Sequence, residues 1–382
     1  MDSAPRVPLD LRRVPGTNTP ANSNPFMRLS KFNILLALAP FTAAGLFSGC
    51  ALAPRVGSFA PRTGDEMMVA GRYVHTGTPV VLWTDPGGYD AYRVERRFAP
   101  LAKSDWKTSS EEVKGLTTPN RYNTRKGDLT TNELERVRSG GWDLPLLQRV
   151  VDQFVLHFDV CGVSRQCFNI LHDHRDLSVH FMLDLDGTLY QTLDLKERAW
   201  HATTSNSRSV GIEIANMGSY GKEENSPLEQ WYAKDAKGKT RLTLPERFGD
   251  GGLRTPNFVG RPARNEPVRG VIQGRELTQY DYTPQQYRAL AHLTAALCRV
   301  FPKMKCDYPR DAAGKLIPRK LADDELEKYA GVLGHYHIQT NKVDPGPALD
   351  WDALIGQARG LMGEAQSGPV NPTSLGHGRR RF

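Results

Sequence analysis

The 382-residue chain is short of long apolar runs, having a single one, at residues 32–49. That scarcity excludes a protein that crosses a membrane many times. With 39% apolar and 24% charged residues, the rest reads as a water-soluble globular body with enough material for a core. Cysteine is also scarce: Cys50, Cys161, Cys167, Cys298 and Cys306 allow at most two bridges. Basic charge on the body is the third shortage. The formal charge is +8, but Arg6, Arg12, Arg13, Arg28 and Lys31 against Asp2 and Asp10 place a net +3 before residue 50. Arg379, Arg380 and Arg381 carry another +3, which leaves about +2 for everything between. Without clustered basic residues among aromatic platforms, and without a recognisable module, nucleic acid is excluded as a partner.

The apolar run follows Arg28 and Lys31 and ends in Leu46-Phe47-Ser48-Gly49-Cys50, the layout of an export signal. Its ending resembles a bacterial lipobox, with Cys50 as the lipidated residue; Phe47 departs from the usual aliphatic residue there. The competing reading is a single membrane-spanning helix. The expectation is an exported lipoprotein on the periplasmic face of a bacterial membrane, the outer membrane being favoured. A normal signal would begin at Met27, making residues 1–26 an upstream segment. In an oxidising compartment Cys161 with Cys167, and Cys298 with Cys306, read as two disulfides, against buried thiols as the alternative. Six residues of helix would set the α-carbons of Cys161 and Cys167 about 9 Å apart, too far to bridge, so the chain around Gly162 is expected to be non-helical.

Composition divides the chain into a signal (1–49), a Pro/Gly/Arg-rich tether (50–66), an extension (67–149) packed on the main domain, the main domain (150–361) and a disordered basic tail (362–382). In the extension, residues 79–83 are a strand candidate and 117–128 a long polar loop. In the main domain Phe154, Leu156 and Phe158 alternate with Val155 and His157, predicting a strand with the histidine opposite the aromatics. Val179, Phe181 and Leu183 lead through Asp186-Gly187 into residues 188–193, a hairpin. Val210, Ile212 and Ile214 alternate with Gly211 and Glu213. Residues 217–280 are polar and Gly/Pro-rich, an insertion or long surface loop. Thr283, Pro284 and Gln286 then begin a helix with a core stripe at Tyr287, Leu290, Ala291, Thr294, Leu297 and Phe301.

Chemistry concentrates in Gly334-His335-Tyr336-His337 and Lys342-Val343-Asp344-Pro345-Gly346, where a stiff turn can hold Asp344 still. Hydrolytic zinc takes three His or carboxylate ligands and leaves a fourth position to water, so His335 and Asp344 are ligand candidates. Together with Val155-Leu156-His157, Ser178-Val179-His180-Phe181, Asp186-Gly187-Thr188, Ala199-Trp200-His201-Ala202 and Ser209-Val210-Gly211-Ile212-Glu213, these motifs occur in one order across residues 150–358. In that order they resemble the type 2 N-acetylmuramoyl-L-alanine amidase family, whose fold is shared with peptidoglycan recognition proteins.

The resemblance implies an α/β fold with a mixed central sheet flanked by helices, and hydrolysis of the amide between N-acetylmuramic acid and L-alanine in cell-wall turnover or recycling. It implies Zn2+ held by His157, His335 and Asp344, with Glu213 and Lys342 assisting the chemistry. Peptidoglycan or muropeptides are the implied partners, beside the membrane reached through the lipid anchor, and a monomer is expected. The Cys161–Cys167 spacing is similar to a disulfide of the recognition-protein branch. Trp200 and His201 fall where a cleft wall belongs, with substrate contact and plain packing both open. His180 faces the site side, where a hydrogen-bonded supporting role is favoured over metal ligation, and it is also a substrate-contact candidate. His337 would be a redundant ligand, and His172 and His174 read as solvated. The second function class is a binding module of the same fold that holds peptidoglycan without cutting it; it would need none of the ligands, nor Glu213 and Lys342.

Overall fold

The alternation around His157 becomes an inner strand of a six-stranded sheet, next to one edge. The computed structural model describes residues 53–363, apart from 113–116, 128 and 223–225. The chain divides into two units, Met1–Ala51 and Leu52–Phe382, and the described residues lie in the second. The segment expected to be an export signal, Cys50 and residues 364–382 of the expected tail therefore lie outside the described residues. Among the described residues no helix is long and apolar enough to cross a membrane.

The sheet strands are β1 (Val80–Leu82), β2 (Gln153–Phe158), β3 (Phe181–Leu183), β4 (Leu189–Gln191), β5 (Ser209–Ile214) and β6 (Gly331–Gly334). They lie in the order β6-β2-β5-β3-β4-β1. Every neighbouring pair is parallel except the β3–β4 hairpin, which makes the sheet mixed, as expected. Because successive side chains point to opposite faces, Phe154, Leu156, Val210, Ile212, Ile214, Phe181 and Leu183 enter one apolar cluster. Helices α1 (Pro284–Val300) and α2 (Trp351–Met362) bring their own apolar residues into that cluster. The start of α1 follows its sequence signals. Thr283 Oγ1 accepts from the Gln286 N–H at 3.1 Å, and the Gln286 side chain accepts from the Thr283 N–H at 2.9 Å. Such a cap contributes about 1 kcal/mol. The predicted stripe from Tyr287 to Phe301 is buried. Opposite these helices, Val155, His157, Met182, Gly211 and Glu213 belong to the other face.

Three regions are more ordered than their composition suggests. The segment read as a tether packs against the body in its described part: Gly57 N–H donates to His75 O at 2.7 Å, and strand Glu66–Val69 pairs with Arg72–His75. Apolar burial of Met67, Val69 and Val74 accounts for the docking. The polar loop at 117–128 contains strand Tyr122–Thr124, paired antiparallel with Glu197–Ala199. The region 217–280 is no bare loop. Ser219–Tyr220, Val268–Ile272 and Arg275–Gln279 form a three-stranded sheet, and Met217, Leu228, Trp231, Tyr232 and Leu242 make a core with Val163, Leu185 and Ala215.

At the end of β3, Asp184 is fully buried. One carboxylate oxygen accepts from the Leu185 N–H at 3.0 Å, while Oδ2 has no partner. Burial, with the charges of Asp186 and Asp159 adding to it, raises its carboxyl from 3.8 to about 8. A raised folded-state value means that the native protein holds the proton more tightly. The stabilisation is therefore complete below the ordinary value and is lost as pH rises toward 8. Asp184→Asn keeps the acceptor and fixes the neutral form. Its melting temperature relative to wild type is expected to climb between about pH 5 and about pH 8; parallel pH profiles would contradict the assignment.

Candidate metal centre and cleft

Parallel pairing sets His157 directly beside Glu213, since β2 and β5 run in register from Gln153 with Ser209 to Phe158 with Ile214. On the other flank β6 pairs Gly334 with Leu156, so the chain leaves the sheet at His335 next to His157. Asp344 returns on the turn that follows. That turn is anchored from below: Pro345 O accepts from Tyr282 Oη at 2.7 Å and from Gln279 Nε2 at 3.1 Å. Gly346 adopts φ +82°, and a Cβ there would run into the Gln279 side chain, so this position requires glycine.

Three donor atoms converge as a result. His157 Nδ1 lies 2.8 Å from Asp344 Oδ2 and 3.0 Å from His335 Nδ1, and His335 Nδ1 lies 3.0 Å from Asp344 Oδ2. All three residues are buried. An ion with bonds of about 2.1 Å in tetrahedral geometry spaces its ligands about 3.4 Å apart, so each donor moves only a few tenths of an ångström to accept one. Two imidazoles and a carboxylate, with a cleft on the fourth side, suit zinc. Burial and then the facing His335 lower His157 to about 4, which favours the neutral, ligating imidazole. Burial alone would raise Asp344, but the two histidines outweigh it and hold the carboxyl below its ordinary range.

The donors open on a cavity of about 270 Å³ whose lining includes Glu213, Lys342, Trp200, His201, Arg175 and Asn341. Glu213 is open to the cleft on one side and enclosed by protein on the others. Burial first, then the Asp344 and Asp159 charges, push its carboxyl well above the usual glutamate value. Trp200 and His201 line the cleft as expected. His180 does not: it is fully buried, with Nδ1 accepting the Gly211 N–H at 3.1 Å and Nε2 near Glu197 O at 3.0 Å. Both nitrogens are used inside the protein, which corrects the substrate-contact reading. His337 is likewise internal, bonded to the Gly334 N–H at 2.9 Å and to Ile317 O at 2.8 Å. His172, expected to be solvated, is buried against Phe168 and contacts Asp173 at 2.7 Å; His174 is exposed.

Cys161 and Cys167 are present as thiols, so the expected bridge between them is not formed. Gly162 has φ +77°, and the chain between Cys161 and helix Ser164–Phe168 is non-helical there, as bridging distance demanded. Cys161 Sγ donates to Asp159 O at 3.0 Å, and donor atoms of Asp159, Cys161 and Cys167 fall within 4.8 Å of one another. Cys298 and Cys306 are both buried in the main core.

Sequence reasoning missed two arginines in the polar loop. Arg125 is fully buried and donates to Leu195 O at 2.9 Å, Ser207 O at 3.0 Å and Ser209 O at 2.9 Å. Arg121 donates to His172 O at 2.8 Å and pairs with Asp176 at 3.2 Å. They tie the extension to both loops flanking the cleft. A polar loop gives no periodic signal for this. Asp159 was missed too; its Oδ1 accepts from the N–H groups of Cys161, Gly162 and Asn216 at 2.9, 3.0 and 3.1 Å, joining the ends of β2 and β5.

Residues 147–347, more than half of the chain, match the model of the family described as N-acetylmuramoyl-L-alanine amidase. The chain belongs to that amidase family. No curated protein sequence matches it. Similar solved structures include AmpD, at 16% identity over 63% of this chain and 89% of that one, with a TM-score of 0.28. Another is AmiD from E. coli, in complex with anhydro-N-acetylmuramic acid-L-Ala-D-gamma-Glu-L-Lys, at 18% identity over 54% and 57% with a TM-score of 0.28. A third is the endolysin LysCS from Clostridium intestinale, at 14% identity over 57% and 88% with a TM-score of 0.29. The family assignment rests on the sequence match.

If the three donors form one metal site, zinc added to chelator-stripped protein raises the melting temperature, as does any ligand that binds only the folded state. Asp344→Ala is expected to remove most of that rise. An equal zinc-induced rise in the variant would put the ion elsewhere.

Proposed function

We propose that this amidase is zinc-dependent and hydrolyses the amide between N-acetylmuramic acid and L-alanine of peptidoglycan or its fragments, in cell-wall turnover or recycling. The observation that carries the reading is the meeting of His157, His335 and Asp344 with Glu213 and Lys342 at one cleft in a chain of this family. When bound, zinc would polarise the scissile carbonyl and bring the pKa of water from 15.7 to about 7.

The protein supplies the rest. An amide nitrogen is a poor leaving group and must be protonated as the tetrahedral intermediate collapses. A Glu213 carboxylate oxygen accepts the proton of the attacking water and then delivers it to that nitrogen. A carboxyl with a raised pKa gives the proton back at a pH where an ordinary glutamate would release it to solvent. The Lys342 ammonium stands two residues before Asp344 in the cleft lining and offsets negative charge as it grows on the carbonyl oxygen. Trp200 lends an apolar wall to the sugar or peptide. Lipidation of Cys50 would hold the enzyme at the periplasmic face of the membrane, and loss of Cys50→Ala protein from the membrane fraction tests this; unchanged retention would refute the anchor.

With a muropeptide of the kind held by AmiD as substrate, Glu213→Ala is expected to lose about 10²-fold to 10⁴-fold in kcat with zinc retained. Lys342→Ala should lose a comparable or smaller factor. Near wild-type turnover by folded, zinc-loaded Glu213→Ala would overturn the mechanism and favour a binding module.

A further inference from the structure

We propose that His201, with Ser209 behind it, is a positioning residue that fixes the ring orientation and proton placement of the ligand His157. The assignment rests on the zinc-amidase reading and deepens it. His157 turns Nδ1 toward Asp344 Oδ2 and His335 Nδ1, at 2.8 and 3.0 Å. A nitrogen that binds metal must offer a lone pair, so the proton of the neutral ring belongs on Nε2. That nitrogen lies 3.1 Å from His201 Nδ1. His201 Nδ1 must therefore accept, which puts its own proton on Nε2, 3.2 Å from Ser209 Oγ. The hydroxyl accepts. One assignment of protons satisfies the whole series from His157 to Ser209.

His201 is built in for this place. Its backbone N–H and that of Ala202 donate to Asn206 Oδ1 at 3.1 and 2.6 Å, which sets the loop. Its ring stands edge-on to His157, with centroids 5.3 Å apart and planes at 85°. The ring occupies space that only glycine leaves, since a Cβ on Gly211 would run into it. His335 has its own support, with Nε2 2.6 Å from Gln339 Oε1, so the two ligand histidines are held independently. Metal-bound histidines usually find a carboxylate, a backbone carbonyl or water behind them. A neutral imidazole in that place orients His157 without adding a second buried anion to the one on Asp344. Both nitrogens of His201 are engaged within the protein, which favours positioning over substrate contact.

The test compares His201→Phe, His201→Gln and Ser209→Ala in the full chain, measuring zinc affinity by competition with a chromogenic chelator and the melting temperature of the metal-free protein. His201→Phe keeps the ring volume and loses both nitrogens; zinc binding is expected to weaken about 10-fold to 100-fold while the metal-free melting temperature stays near wild type. His201→Gln can accept from His157 and donate to Ser209, and should recover most of the affinity. Ser209→Ala should weaken it by less than His201→Phe does. Wild-type affinity in His201→Phe, or equal loss in His201→Gln and His201→Phe, would overturn the assignment while leaving zinc in place. Absence of zinc binding by the wild-type chain would overturn the zinc reading itself, and this assignment with it.

Discussion

Parallel pairing of Gln153–Phe158 with a strand on each side is the constraint on which the rest of the molecule depends. It brings together residues that are distant in sequence: His157, Glu213 directly beside it, and His335 where the neighbouring strand ends. A slip of one residue in either pairing would turn His157 or Glu213 toward the apolar face under Pro284–Val300. The hydrophobic pattern forbids that slip. Phe154, Leu156, Val210 and Ile212 all have to enter one core, and moving any strand by one residue would withdraw them from it and drive the polar set into it.

What surrounds the sheet steadies the cleft from outside it. Arg121 and Arg125 come from the extension and hold the loops at His172–Asp176 and Leu195–Ser209 by backbone carbonyls and, for Arg121, by the Asp176 carboxylate as well. Gln279 and Tyr282, at the end of the inserted region, hold Pro345 and so the turn bearing Asp344. Burial has a second effect at the same place. The enclosure that keeps His157 neutral also lifts Glu213, so one low-dielectric pocket shifts both groups in the directions that the proposed ligand and the proposed proton carrier need.

Much of this was legible in the sequence because it is periodic or local. Alternation marked the faces of the strands with His157 and Glu213, the turn at Asp186-Gly187 marked the hairpin, and Thr283 with Gln286 marked the long helix. The donor trio was legible only through motif order, since nothing local to His157 indicates that Asp344 lies 2.8 Å away. The buried arginines, His172 and the core around Trp231 were not legible. Their burial depends on distant partners: carbonyls of the cleft loops for Arg125, Phe168 and Asp173 for His172, and Val163 and Ala215 for Trp231. Strands of two or three residues, such as Ser219–Tyr220 and Tyr232–Lys234, are too short to show a period, so the inserted region looked like loop.

The most direct test of the account is mass spectrometry of the products from purified sacculi digested by the protein, stripped of metal and then reconstituted with zinc. The account predicts glycan chains freed of peptide and peptides beginning with L-alanine, released only after zinc is restored. Cleavage at another bond, or equal release by the stripped protein, would contradict it.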